Sequence, residues 1–239
     1  MTKTKSYTRY TLSLVILASI ALCSWQAFAK SPVAGKMALV TGKATVFSIG
    51  GDSRKLMFGE MVYEGETIET EEASFVKLKY TDGGVMLLRP ATKIIIEEYK
   101  FIKKGDGESI TNLVKGGLRA VTGGIVKRNR DNYKIKTPVA TVSVRGTDMT
   151  VRLCRDDCKN LQGFSAPAPD NGLYTGVNKG GIILSNAAGS QLYRVGQFGY
   201  VAGTQFKPGL LPSAPAIFVT DNLPDPSANN NFIKDSSCK

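Results

Sequence analysis

From Gly35 onward the apolar residues come in short alternating runs, each cut off by Gly, Asp or Asn. Ala44-Thr-Val-Phe47 stops at Gly50-Gly-Asp-Ser53, and Phe75-Val-Lys-Leu-Lys-Tyr80 stops at Thr81-Asp-Gly-Gly84. Val85-Met-Leu-Leu88 follows at once, so 75–88 reads as a hairpin over an Asp-Gly turn. Ile94-Ile-Ile96 and Tyr99 lead into the turn Lys103-Lys-Gly-Asp-Gly107, and further runs lie at Tyr133–Lys136, Ala140–Val144, Met149–Leu153 and Gly181–Leu184. A period of two, repeated at this spacing with no long amphipathic helix between, predicts an all-β fold. Its two candidate forms are a β-sandwich and a short β-solenoid-like stack of strands.

One segment is ambiguous. Ile110, Leu113, Val114, Leu118 and Val121 have helical spacing, but Gly116-Gly117 and Gly123-Gly124 interrupt them. Each glycine costs a helix about 1 kcal/mol relative to alanine, so strand–bulge–strand is expected. There is also an internal echo. Gly42-Lys-Ala-Thr-Val46 followed by Leu56-Met-Phe-Gly59-Glu-Met-Val62 has a counterpart in Gly181-Ile-Ile-Leu184, Tyr193-Arg-Val-Gly196 and Val201. It suggests stacked β units of similar shape.

The first residues read as an address. Lys3, Lys5 and Arg9 precede an apolar run from Leu12 to Cys23, and Ala27-Phe28-Ala29 is an A-x-A cleavage site. Residues 1–29 are therefore expected to be a cleaved signal peptide. An uncleaved anchor needs about 20 apolar residues, more than this run offers. A lipoprotein site at Cys23 is opposed by bulky Leu22. The expected organisation is a single all-β domain over 30–211 and an unstructured Pro/Asn-rich tail over 212–239. Export places the chain in the periplasm, with secretion as the variant.

An exported chain meets oxidising conditions, so its cysteines are candidates for a disulfide. Cys23 leaves with the signal. Of the pairings among Cys154, Cys158 and Cys238, Cys154–Cys158 is favoured, because Cys238 lies one residue from the end. A redox or metal role for this C-x-x-x-C is the alternative, but it lacks the usual spacing and any histidine partner.

Histidine is absent altogether. Ser-His-Asp and Cys-His nucleophile systems and histidine-ligated metal or haem sites are therefore excluded. Hydrophobic content of 42% allows a buried core.

Val62-Tyr-Glu-Gly65-Glu-Thr-Ile68-Glu-Thr70 leads to Ser74-Phe-Val-Lys-Leu78, Tyr80-Thr-Asp-Gly83 and Leu88-Arg-Pro90. Then come Gly116-Gly-Leu-Arg119-Ala-Val-Thr-Gly123, Asn132-Tyr133 and Thr137-Pro138-Val-Ala-Thr141-Val-Ser-Val-Arg145-Gly146-Thr147. This ordered set, with its core over 62–151, resembles the FecR family. Tyr174–Val177, Gly180–Ile182 and Val195–Gln197 look like its continuation. The resemblance implies an envelope signalling module. The founding members are transmembrane regulators of iron uptake, with a cytoplasmic head that controls a sigma factor and a periplasmic part that listens to an outer-membrane transporter. This sequence is similar to the stand-alone exported members, so the domain carries over and the anti-sigma activity does not.

The signature Thr137, Pro138, Arg145, Gly146 and Thr147 has two readings. Either Arg145 is a donor in a recognition loop, or Gly146 sets a bend and Arg145 pairs internally; the second is favoured. Arg89 and Arg119, each beside Pro or Gly, are likewise read as structural. Lys115, Arg119, Lys127, Arg128, Arg130, Lys134 and Lys136 form a basic stretch opposed only by Asp131. Export and the lack of stacking aromatics argue against nucleic acid, leaving an anionic glycan, a protein partner or a solvated face. Glu60, Glu64, Glu66, Glu69, Glu71 and Glu72 cluster without the D-x-D-x-D-G series of a calcium loop.

The expectation is a non-catalytic sensing or interaction module without cofactor or metal. Its partner is an envelope or membrane protein, a sensor or transporter. Cell-wall peptidoglycan or another anionic glycan is the alternative. A carboxylate hydrolase is the remaining enzymatic route, and no acid stands out for it.

Overall fold

The computed structural model describes residues 31–160 and 169–219, and both the segment expected to be a signal peptide and Cys238 lie outside them. In chain order the strands are β1 (Val33–Thr41), β2 (Ala44–Phe47), β3 (Ser53–Lys55), β4 (Met61–Tyr63), β5 (Thr67–Thr70) and β6 (Phe75–Tyr80). There follow β7 (Val85–Leu88), β8 (Lys93–Lys100), β9 (Glu108–Val121), β10 (Tyr133–Lys136), β11 (Thr141–Val144) and β12 (Asp148–Cys154). The last are β13 (Gly172–Lys179), β14 (Gly181–Asn186), β15 (Gly189–Arg194), β16 (Phe198–Val201) and β17 (Gly209–Leu211).

The pairings arrange these strands in two layers. One runs β4-β1-β6-β7-β9-β12-β13-β16-β17. The other runs β3-β2-β5-β8-β9-β10-β11-β14-β15. β9 stands at the centre of both. Residues 108–115 pair in the second layer and 116–121 in the first. The change of layer falls at Gly116, whose φ is +83°. A Cβ there would collide with Thr92 and the Ala91 carbonyl, so the corner requires glycine. The strand–bulge–strand expectation for 110–121 holds, and the helical spacing of its apolar residues is incidental.

Alternation sends one side of each strand inward. Leu78, Met86, Leu118 and Val151 of the first layer meet Ile68, Ile94, Leu113 and Leu184 of the second in one core, all fully buried. The two layers share one core and are joined through β9 into a single open all-β sheet. Among the described residues, parallel pairing is confined to β9–β10. The 75–88 hairpin forms as expected, with Asp82 Oδ1 accepting from Gly84 N–H at 2.9 Å.

The echo is a structural repeat. β1–β4 and β13–β16 each place a hairpin of the second layer (β2–β3, β14–β15) between two paired strands of the first (β1·β4, β13·β16). The turns entering β4 and β16 share their bonding. In Met57-Phe58-Gly59-Glu60 the Met57 N–H donates to Glu60 Oε2 at 2.9 Å. In Arg194-Val195-Gly196-Gln197 the Arg194 N–H donates to Gln197 Oε1 at 2.7 Å. In both, the N–H of the fourth residue returns to the carbonyl of the first, and the third residue is glycine at positive φ.

Part of the segment expected to be an unstructured tail is ordered. Residues Ala216–Val219 form a helical turn, and Ile217 is buried with Cys154, Cys158 and Tyr174 on the outside of the first layer. Apolar side chains at 217 and 218 dock this segment, a contact that the Pro/Asn-rich composition hides. No helix among the described residues is long and apolar enough to cross a membrane.

Candidate functional site

The family signature lies where β11 of the second layer crosses to β12 of the first. Thr137 and Pro138 build the preceding β10–β11 turn. Thr137 Oγ1 donates to the Ala140 carbonyl at 2.7 Å and accepts the Val139 and Ala140 N–H groups at 3.2 and 3.0 Å. Gly146 takes φ +71° in the crossover. Thr147 is buried, and its hydroxyl donates to the Gly181 carbonyl at 2.7 Å. Asp148 next to it receives Arg119 through two bonds, at 3.0 and 2.8 Å.

Arg145 is different. Its backbone N–H extends the ladder to the Gly181 carbonyl at 3.0 Å, while its side chain is exposed and makes no bond to any described residue. The bend set by Gly146 agrees with the structural reading. The internal pairing expected of Arg145 does not occur, because the nearby Asp148 is already held by Arg119 and by Asn178.

Arg89 and Arg119 act structurally, as expected. Arg89 and Arg152 flank Gly117 in one row across β7, β9 and β12, and a Cβ at Gly117 would strike both arginine stems. Arg89 Nη1 donates to the Ile217 carbonyl at 3.3 Å and lies under the Phe218 ring, 5.7 Å from its centroid. Arg152 Nη2 donates to Asp157 at 3.1 Å. Burial, and then the charge of Arg152, pushes the Arg89 guanidinium down to about 9. Cys154 and Cys158 form the expected disulfide beside this row, with Arg152 Nε 3.4 Å from Cys158 Sγ.

Three members of the basic stretch are engaged within the fold. Arg119 is bound to Asp148, Lys136 to Glu97 at 2.7 Å, and Arg128 caps the carbonyls of Ile102, Lys103 and Gly105. The hydrogen bond to Glu97 is the main reason the Lys136 ammonium is raised. Lys115 faces an open cleft of about 510 Å³, lined also by Phe47, Glu69, Glu71 and Glu72. Lys127 and Arg130 are exposed on and beside the short helix Gly124–Arg128, and Lys134 is half-buried on β10.

Most of the glutamates hold the fold. Glu60 and Glu66 cap turns, Glu64 accepts the Tyr99 N–H, and Glu69 and Glu71 meet Lys93 and Lys43. Among the described residues no three acids or cysteines are grouped to hold a metal ion.

The family model described as FecR protein matches residues 66–160. Over this segment the chain is similar to a FecR domain. The match holds the Thr137–Thr147 signature and the disulfide and stops short of β13–β17. The chain is also similar to two crystal structures of a candidate anti-sigma factor from Parabacteroides distasonis. Each is 15% identical, with a TM-score of 0.45, over 62% of this chain and 59% of that one. A cell surface anchoring domain is 28% identical over 26% of this chain and 80% of its own, with a TM-score of 0.25. The chain thus spans little more than half of the anti-sigma protein, and overlaps of this quality carry no argument about activity. Among curated proteins none matches significantly.

Proposed function

We propose that the protein is a non-catalytic interaction module of envelope signalling, working in the periplasm after cleavage of residues 1–29. The similarity to a FecR domain over 66–160 carries this reading. Its signature supports it: Thr137, Gly146 and Thr147 are consumed in holding two turns, whereas Arg145 is left on the surface. A side chain that the fold does not use, on a rigid crossover, is suited to meeting a partner. The partner is an envelope sensor or transporter. The glycan alternative rests on the 115–136 stretch, in which Arg119, Arg128 and Lys136 have internal partners.

Residues 30–239, immobilised and exposed to detergent-solubilised envelope, are expected to retain a defined membrane sensor or transporter saturably. Recovery of glycan alone, released by salt, would instead place the protein in the cell-wall class. N-terminal sequencing of the exported protein is expected to begin at Lys30, and retention of the first residues would remove the periplasmic assignment.

A further inference from the structure

The outer faces of the two layers carry the same construction, an arginine on each side of a glycine in adjacent strands. In the first layer the row is Arg89–Gly117–Arg152. In the second it is Arg145–Gly181–Arg194: Arg145 N–H bonds to the Gly181 carbonyl, and Gly181 is in register with Arg194. The outer two members of such a row stand about 10 Å apart, two strand spacings. Two guanidinium forks at that separation can converge on one oxyanion above the glycine.

The first row shows what this construction takes. Its arginines meet the Asp157 carboxylate and the Ile217 carbonyl, with the Phe218 ring laid over Arg89. The occupants are peptide groups: a carboxylate, a main-chain oxygen and an apolar side chain.

Among the described residues the second row has no such cover. Arg145 and Arg194 are exposed, and neither side chain bonds to a described residue. Above Gly181 only the Tyr193 carbonyl lies within 4 Å of where a Cβ would be. The nearby acid, Asp148, is already held by Arg119 and Asn178. Neither 132–147 nor 171–219 contains an acidic residue, and exposed Lys179 begins the neighbouring crossover. Apolar surface adjoins the row, since Leu192 and Val195 are 39% and 60% exposed.

We infer that the Arg145–Gly181–Arg194 row is a docking site for an acidic peptide segment of a partner protein, whose carboxylate sits between the two guanidinium groups and whose apolar side chains cover Leu192 and Val195. This deepens the interaction-module reading by naming the chemistry of the partner's segment. It is tested with pure components, so its failure would leave the envelope experiment standing.

The probe is a fluorescent peptide alternating Asp with Leu, titrated into residues 30–239 and followed by anisotropy. Arg145→Ala/Arg194→Ala is expected to weaken binding about tenfold or more, the scale of a lost charge-assisted pair of bonds. Lys127→Ala/Arg130→Ala removes the same charge elsewhere and is expected to change affinity less than about twofold. Arg145→Lys/Arg194→Lys keeps the charge without the fork and is expected to fall between them. The Asn-for-Asp peptide is expected not to bind. Equal losses in the two alanine variants would overturn the site, as would binding of the Asn peptide. Displacement of the Asp peptide from the row by millimolar inorganic phosphate, or by phosphatidylglycerol vesicles more strongly than by unlabelled peptide, would overturn the peptide assignment. Exposed residues are changed throughout, and unchanged thermal unfolding of each variant verifies the fold.

Discussion

Arg54 and Glu66 together close the open edge of β4. Arg54 Nη1 and Nη2 reach the two oxygens of Glu66 at 2.7 and 3.1 Å, and Nη2 also donates to the Met61 carbonyl at 2.9 Å. Glu66 Oε2 in turn accepts the Tyr63 N–H at 3.0 Å. In the second copy of the repeat, β16 is covered instead by a strand, β17. A side-chain pair thus does at one end what a strand does at the other, and an uncovered edge is an aggregation hazard.

Arg54→Ala is therefore expected to act twice. Glu66 is 8% exposed, and losing its partner leaves a carboxylate largely cut off from water. A stability loss of about 2–3 kcal/mol is expected, at the low end for a broken buried pair because Arg54 is itself about a third exposed. Urea unfolding measures it. Sedimentation should show concentration-dependent association of the variant, and a variant that stays monomeric would argue against the edge-covering role. Glu66→Gln added to Arg54→Ala should recover part of the loss, since the uncompensated charge is gone.

The repeated turn gives a graded test. Gly59, Gly65 and Gly196 share positive φ of +85°, +83° and +76°. Alanine at Gly196, which has open space around it, is expected to cost about 1 kcal/mol from backbone strain alone. Alanine at Gly65 would also strike the Ile49 side chain and is expected to cost more. Equal losses at the two sites in urea titrations would show that Ile49 moves aside without penalty.

These turns also mark the limit of what the sequence discloses. The hairpin at 75–88 was legible because Asp-Gly and period-two alternation are local signals. The change of layer in β9 was legible because glycine at 116 cannot serve a helix well. The shared turn has a local mark too, a glycine followed by Glu or Gln. Gly107-Glu108 carries the same mark without a positive φ, so the dipeptide alone does not decide it. Glu60 and Glu66 read as part of a charge cluster because their partners, a backbone N–H or an arginine on another strand, depend on how the chain folds back. The Arg145–Gly181–Arg194 row joins residues up to 49 positions apart and exists only through two strand pairings. No spacing along the chain predicts it, and spacing likewise did not disclose that Arg119, Arg128 and Lys136 of the contiguous basic stretch have partners within the fold.

The disulfide closes a very short loop, so its effect on the unfolded chain is modest, about 2 kcal/mol. Both sulfurs are buried under Ile217 and Tyr174. Reductant is expected to lower the urea midpoint, and Cys154→Ala/Cys158→Ala to lower it equally without reductant. A midpoint insensitive to reductant in the unaltered protein would mean that the cross-link adds nothing to stability.

Buried tyrosines set an alkaline limit. Burial pushes the Tyr99 hydroxyl, which also accepts from the Asp82 N–H and from Thr81 Oγ1, up to about 12, and does the same to Tyr193. In the unfolded chain a phenol ionises near 10. Between these values the unfolded state has lost protons that the folded state keeps, so stability falls as pH rises. The contribution is whole below pH 10 and lost by about pH 12, on the order of 2 kcal/mol for each of these two tyrosines. Urea midpoints should therefore be level from neutrality to pH 10 and drop steeply beyond it, with phenolate absorbance appearing as the protein unfolds. Tyr193→Phe loses the bond to the Gly209 carbonyl and starts about 1 kcal/mol lower, yet it should decline less over the same range. A decline as steep as in the unaltered protein would show that Tyr193 is not among the groups that set the limit.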